Sequence, residues 1–168
     1  MIDADKISHS LLKPETKVYK RIVKIFGKGI LRRNGAVNRR ELGKIVFSNK
    51  TLLKKLNGIM HPEIIRLIKK KLSEIKKGII VLDAPLIIEA GQSGLVDKLV
   101  VVKTKMAKQI NRIRNNTAFT KNEILKRIKS QIPLKKKLRL ADFVIDNDGT
   151  FEETKKQVRQ IRRMLWKS

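Results

Sequence analysis

The stretch Gly78 to Glu89, Gly-Ile-Ile-Val-Leu-Asp-Ala-Pro-Leu-Ile-Ile-Glu, constrains the fold of this chain more than any other. A basic helical pattern stops at Gly78, and four apolar residues, Ile79 to Leu82, follow without alternation. A short apolar run with a turn signal on each side predicts a strand buried on both faces. Asp83 ends the run, and Pro85 forbids further ladder pairing while suiting the first turn of a helix. Open parallel α/β sheets bind ligands just outside the carboxyl ends of their strands. Asp83 and Glu89 therefore stand where chemistry would be placed; a capped strand end with no ligand is the structural alternative.

Elsewhere the apolar spacing is mostly helical. Ile7, Leu11 and Leu12 mark a short helix over Asp5–Lys13, and Pro14 is read as opening a second, with Val18, Ile22, Ile25 and Phe26 inside and Gly27 as its stop. Asn34-Gly35 reads as a turn. Asn38 with Glu41 forms a capping-box pattern ahead of Leu42, Ile45 and Val46, and Ser48 is read as the cap of the next helix. His61-Pro62 is expected to break the chain before a basic helix that runs to Lys77. Leu99–Val102 predicts a second buried strand and Thr104 a helix start, followed by a capping box at Thr120 and Glu123. Phe143-Val144-Ile145 predicts a third strand, the run Asp146 to Gly149 a turn, and Thr150 with Glu153 the cap of a last helix carrying Val158, Ile161 and Leu165. Strands alternating with helices give an α/β class with a doubly wound parallel sheet.

Composition narrows the function classes. The chain has 168 residues, enough for one domain with a real core, and no cysteine, which excludes disulfides, thiolate metal sites and a cysteine nucleophile. Its two histidines, His9 and His61, have no metal-ligand spacing around them. No stretch approaches a membrane span and the start lacks a signal-peptide pattern, so a cytoplasmic protein is expected. The net charge of +26 favours an anionic ligand. The lysines are spread through every segment and aromatics make up only 4%, so nucleic acid is expected to bind no more than non-specifically, through charge.

The order of several short motifs resembles the dephospho-CoA kinase family of P-loop kinases. The matching pieces are Ile2 to Asp5, Asn38 to Phe47, Ile59 to Pro62, Asp83 to Gly91, Leu95 to Lys98, Arg127 to Gln131 and Ala141 to Gly149. The resemblance implies a parallel sheet with flanking helices in a single domain over 1–168, a helical substrate-side insertion over 14–78 and a lid over 105–141. It implies ATP-dependent phosphorylation of the ribose 3′-hydroxyl of dephospho-CoA, with Mg²⁺ as cofactor and no membrane partner. The family pattern opens with a strand and the phosphate loop G-x-x-x-x-G-K-[ST]. That run is missing here: Gly27-Lys28 is followed by Gly29, and Gly43-Lys44 by Ile45. The expectation is a sequence that begins near the family's second strand. The Ile2 and Ile79–Leu82 strands would then lack the partner between them and the later pair, and the chain alone would show little turnover.

Residue roles follow from the resemblance. Asp5 matches the general base for the 3′-hydroxyl, with a helix N-cap as its structural alternative. Asp3 is either strand-end geometry or a substrate contact. Arg112 matches the first of the lid's R-x-x-x-R arginines, which neutralise the transferring phosphoryl group; the second position is Asn116, and Arg114 lies on another side of the helix. Arg39, His61, Asp83, Pro85 and Glu89 are candidate substrate contacts, and Asn147 is placed at the ATP base, while Arg127 and Gln131 read as lid-hinge structure. Two alternatives stand beside the kinase: a non-catalytic remnant that binds CoA-like ligands, and a basic nucleic-acid-binding protein.

Overall fold

The computed structural model describes residues 1–166. The chain divides into two compact units, Met1–Pro85 and Leu86–Ser168. The first contains β1 (Ile2–Asp3), α1 (Ala4–Leu11), α2 (Lys17–Phe26), a 3₁₀ turn (Lys28–Ile30), α3 (Arg39–Ser48), α4 (Lys50–Ser73) and β2 (Leu82–Asp83). The second contains a 3₁₀ turn (Ser93–Leu95), β3 (Val100–Lys103), α5 (Met106–Asn116), α6 (Lys121–Lys129), α7 (Leu134–Leu140), β4 (Phe143–Asp146) and α8 (Phe151–Trp166). Both strand pairs are parallel: Ile2 faces Leu82 and Asp3 faces Asp83, while Val100 to Lys103 run beside Phe143 to Asp146. Parallel strands flanked by helices bear out the α/β class.

The first unit is held together by helices. Ile7, Leu11, Val18, Ile22, Leu42, Val46, Ile59, Met60 and Ile68 are all buried, drawn from α1, α2, α3 and α4. Each such side chain contributes roughly 1.5–3 kcal/mol when fully removed from water. Local chemistry fixes the helix ends. Thr16 caps α2, Asn38 caps α3 and Asn49 caps α4, each accepting from backbone N–H groups of the first turn. Gly27 ends α2 at φ +78°, a conformation that favours glycine. The Asn34-Gly35 turn forms as expected, and the Tyr19 hydroxyl ties it to α2 by donating to the Gly35 carbonyl at 2.7 Å.

Several local expectations are corrected. Ile79–Leu82 is not a strand buried on both faces: only Leu82 and Asp83 pair, and Ile79 and Val81 are 45% and 56% exposed. β2 has a ladder partner on one side only, so its apolar residues lack a second cover. In β3, likewise, Val101 is buried while Val100 and Val102 face outward. Pro14 lies in a turn before α2, Ser48 is the last residue of α3 while Asn49 caps α4, and Pro85 leads into successive turns rather than a helix. α5 begins at Met106 and not at Thr104, and the basic helix ends at Ser73 and not at Lys77.

The largest correction concerns His61-Pro62, which does not break the chain. α4 runs through Pro62 as one helix of 24 residues. An interior proline costs about 3 kcal/mol. Burial of Ile59, Met60 and Ile68 on both sides of it offsets that cost. Because the Pro62 ring is exposed, Pro62→Ala should remove the backbone penalty without losing packing. We expect it to stabilise the chain by about 1–3 kcal/mol in urea unfolding followed by circular dichroism; a loss of stability would show that the ring itself is needed.

Candidate active site

In the first unit the carboxyl ends of β1 and β2 bring Asp3 and Asp83 side by side in register. Asp3, not Asp5, is the N-cap of α1. Its Oδ1 accepts from the Lys6 N–H at 2.9 Å, and this bond, reinforced by the Lys6 ammonium at 3.6 Å, holds the carboxyl below the usual carboxylate range. The capping alternative for Asp5 is thus corrected, since the Asp3 carboxylate already occupies the first-turn amides. Asp5 is exposed in the first turn of α1, and among the described residues its carboxylate makes no hydrogen bond or ion pair. A shallow cleft of about 310 Å³ opens beside Asp3, lined also by Lys6, Ser10 and Lys71, and Asp5 is not part of its wall.

The other candidates of this unit lie elsewhere on it. Arg39, at the start of α3, has Nη1 3.4 Å from His9 Nδ1, so a guanidinium from α3 meets the last turn of α1. His61 is half-buried in the middle of α4. Asp83 and Pro85 are exposed at and just after the end of β2.

The second unit unites two candidates directly. Arg112 Nη2 donates to the Asn147 carbonyl at 3.1 Å, so the lid arginine and the residue assigned to the ATP base are in contact. The loop between β4 and α8 that carries Asn147 is tied down from three sides. The Asn147 N–H donates to Lys103 O at 2.9 Å, and the Thr154 hydroxyl donates to Asn147 Oδ1 at 3.2 Å. Asp148 Oδ1 accepts from the Lys105 N–H and the Thr104 hydroxyl, both at 2.8 Å, while the Lys108 ammonium donates to the Asp148 carbonyl. Asp146 Oδ1 in turn accepts from the Asp148 N–H at 2.9 Å, and its other oxygen pairs with Lys103 at the same distance.

Glu89 is held in place by its own neighbours. Its Oε1 accepts from Lys137 Nζ at 2.6 Å and from the Ile132 N–H at 3.2 Å, and both charged side chains are only 14% exposed. The Glu89 Oε2 atom is buried with no hydrogen-bond partner. This geometry fastens the segment before α7 to the turn after Pro85. Sequence reasoning did not single out Asp148 or Lys137. The local pattern around Asp148 reads as a turn, and the long-range caps that it makes leave no trace in spacing.

Two predictions follow from these contacts. Removing Lys137 leaves a nearly buried carboxylate without its counter-charge; Lys137→Ala should lower the thermal stability of the chain by up to about 3 kcal/mol, and adding Glu89→Gln should recover much of it. The second concerns acid. Asp146, through the Asp148 N–H, and Asp148, through the Lys105 N–H, both titrate below their ordinary value of 3.8. Groups with depressed native pKa values stabilise the fold fully above their unfolded values and lose that contribution as pH falls through the native ones. Amide exchange over residues 143–149 should therefore accelerate below about pH 4 ahead of the helix interiors, and Asp148→Asn should flatten that response.

Comparison with known proteins places the chain. A dephospho-CoA kinase family model matches residues 1–153. The dephospho-CoA kinase of Carboxydothermus hydrogenoformans is 43% identical, the match covering 99% of this chain and 83% of that protein. The Geobacillus kaustophilus dephospho-CoA kinase is 40% identical, over 96% of this chain and 82% of that protein. Among solved structures, dephospho-CoA kinase from Campylobacter jejuni superposes with a TM-score of 0.66 at 28% identity, covering 98% of this chain and 83% of its own. TT1252 from Thermus thermophilus shares the fold, with a TM-score of 0.77 at 24% identity. The chain belongs to the dephospho-CoA kinase family, ATP-dependent phosphotransferases of coenzyme A biosynthesis.

Proposed function

We propose that the chain carries the substrate-side and nucleotide-base-side residues of a kinase that phosphorylates the ribose 3′-hydroxyl of dephospho-CoA. The observation that carries this reading is the Asp5 carboxylate, exposed and unengaged just beyond the carboxyl end of β1, in a chain whose family match begins at residue 1. Asp5 accepts the hydroxyl proton as the 3′-oxygen attacks the γ-phosphorus and the bond from that phosphorus to the β–γ bridging oxygen breaks, releasing ADP. Asp3 works one step back: by capping α1 it sets the direction of the first helical turn and hence where Asp5 stands.

Phosphoryl transfer is mainly positioning and charge stabilisation. In this reading Arg112 leaves the Asn147 carbonyl to meet the phosphates, while the Asn147 amide, steadied by Thr154, reads the base. Arg39, His61, Asp83 and Pro85 line the acceptor side, and Glu89 holds the segment that leads into α7. Mg²⁺ travels with the nucleotide. Such an ion keeps several waters and would be held largely by the phosphates of the nucleotide. When bound it neutralises charge between the β- and γ-phosphates. We place the reaction in the cytoplasm; no helix among the described residues is long and apolar enough to cross a membrane.

No run of the type G-x-x-x-x-G-K-[ST] occurs in the 168 residues, so the backbone cradle for the β- and γ-phosphates is not among them. The test is ATP-dependent conversion of dephospho-CoA to CoA by this chain and by the chain fused behind a strand and phosphate loop of that type. We expect turnover from the fusion only, with kcat lowered about 10²–10⁴-fold by Asp5→Asn and KM for ATP raised by Asn147→Ala. A fusion that binds dephospho-CoA without turning it over would favour the non-catalytic remnant.

A further inference from the structure

The last helix presents a surface that the kinase reading does not use. One side of α8 is docked: the Gln157 amide donates to the Asp146 carbonyl and accepts from the Asp146 N–H, both at 2.8 Å, and the Thr154 hydroxyl meets Asn147. Ile161 and Leu165 continue that side, both half-covered. At 100° per residue, Lys155, Lys156, Arg159, Arg162 and Arg163 fall together on an arc of about 120° turned away from it. Glu152, ion-paired with Lys155 at 3.5 Å, is the one acid on this arc. Trp166 lies in the middle of the arc and Phe151 at its border, 69% and 77% exposed. Each ring already has a cation near its face, Arg162 at 6.0 Å from the Trp166 centroid and Lys155 at 5.7 Å from that of Phe151. The family match ends at residue 153, so four-fifths or so of this helix lies beyond it.

We propose that this arc of α8 is a docking surface for single-stranded nucleic acid. Cations along one helix face neutralise a phosphate backbone, and exposed aromatic rings at its two ends offer a face on which unpaired bases stack. Trp166 and Phe151 stand about 22 Å apart along the axis, which brackets the cations and gives a strand of several nucleotides a start and an end. A bilayer suits the arc less well. An interfacial helix needs a continuous apolar face turned outward, and here the apolar stripe of Ile161 and Leu165 is on the docked side while the outward side is a run of cations with one ring at each end. The charge of the rest of the chain, which contributes most of the net +26, raises the local concentration of any polyanion and leaves the site of contact to α8.

Trp166 is the only tryptophan, so its fluorescence reports on this surface alone. The experiment titrates the whole chain with oligothymidylate of about 15 nucleotides and reads Trp166 emission together with binding by fluorescence anisotropy of a labelled oligonucleotide. We expect emission to be quenched as the oligonucleotide binds. For five neutralised phosphates on a single strand, affinity should fall about 100-fold between 50 and 200 mM salt, a log–log slope of about −3.5. Lys155→Gln, Arg159→Gln and Arg162→Gln combined should lower that slope in magnitude by about 2 while the circular dichroism spectrum is unchanged. The matching triple change on α2, at the exposed Lys17, Lys20 and Lys24, should leave the quenching intact. Binding with no change in Trp166 emission would overturn the proposal. So would equal losses from the two triple variants, which would mean that net charge alone attracts the strand. A blue shift with vesicles of anionic phospholipid and no response to the oligonucleotide would also overturn it, in favour of a lipid surface.

Discussion

The Asp148 carboxylate accepts from the Lys105 N–H and the Thr104 hydroxyl, both at 2.8 Å, and so closes the end of the β3–β4 pair onto the start of α5. The same device recurs at the other strand ends. Asp142, just before β4, takes the Leu99 N–H at 2.8 Å ahead of β3, and Asp3 at the end of β1 takes the Lys6 N–H of α1. Two-stranded parallel pairs have little ladder of their own, and isolated pairs are marginal in water. Here aspartates at the strand ends accept backbone N–H groups that the ladder leaves unsatisfied. Each such carboxyl is correspondingly held below its ordinary pKa, by the Leu99, Lys105 and Lys6 amides respectively. The scarce acids of a strongly basic chain are concentrated where backbone donors would otherwise be open.

That use of the acids separates structural from reactive carboxylates. Asp3, Asp142, Asp146, Asp148 and Glu153 all accept backbone N–H groups in the structure. Glu89 is enclosed by Lys137 and the Ile132 N–H. Asp5 and Asp83, both exposed, have no such engagement among the described residues. A base must be able to reach its proton, and an acid already committed to a backbone amide can do so only by giving up a cap worth about 1 kcal/mol. The carboxylates beside the β1–β2 end include two, Asp5 and Asp83, that no such bond commits.

The sequence made this contrast only half visible. Helical spacing identified the apolar stripes of α1, α2 and α3, and the capping boxes at Thr120–Glu123 and Thr150–Glu153 formed as read, because both signals are local. The strands were harder. Ile79–Leu82 has the composition of a doubly covered strand, but coverage depends on neighbours that no window of sequence contains, and β2 has one partner. His61-Pro62 failed in the opposite direction: a strong local break signal yielded to packing against α1, α2 and α3, which buries residues of α4 on both sides of the proline. Asp3 and Asp5 show the finest limit. Both are acceptable caps by residue type, and only the backbone path decides that Asp3 does the capping and leaves Asp5 available.

The contact between Arg112 and the Asn147 carbonyl ties α5 to the loop after β4. Asn147 is fixed by Lys103 and Thr154, and Arg112 by the helix whose first turn Asp148 anchors. A guanidinium on one neutral carbonyl lacks the opposite charge and the two parallel bonds that a phosphate offers it. Arg112 thus rests on a neutral acceptor, while the rest of the loop is held by contacts that do not involve it. The same asymmetry applies along the chain's surface: with 41 basic residues and 15 acidic ones, most cations lack a protein counter-ion, and an incoming polyphosphate meets ready partners rather than salt bridges that must first be broken.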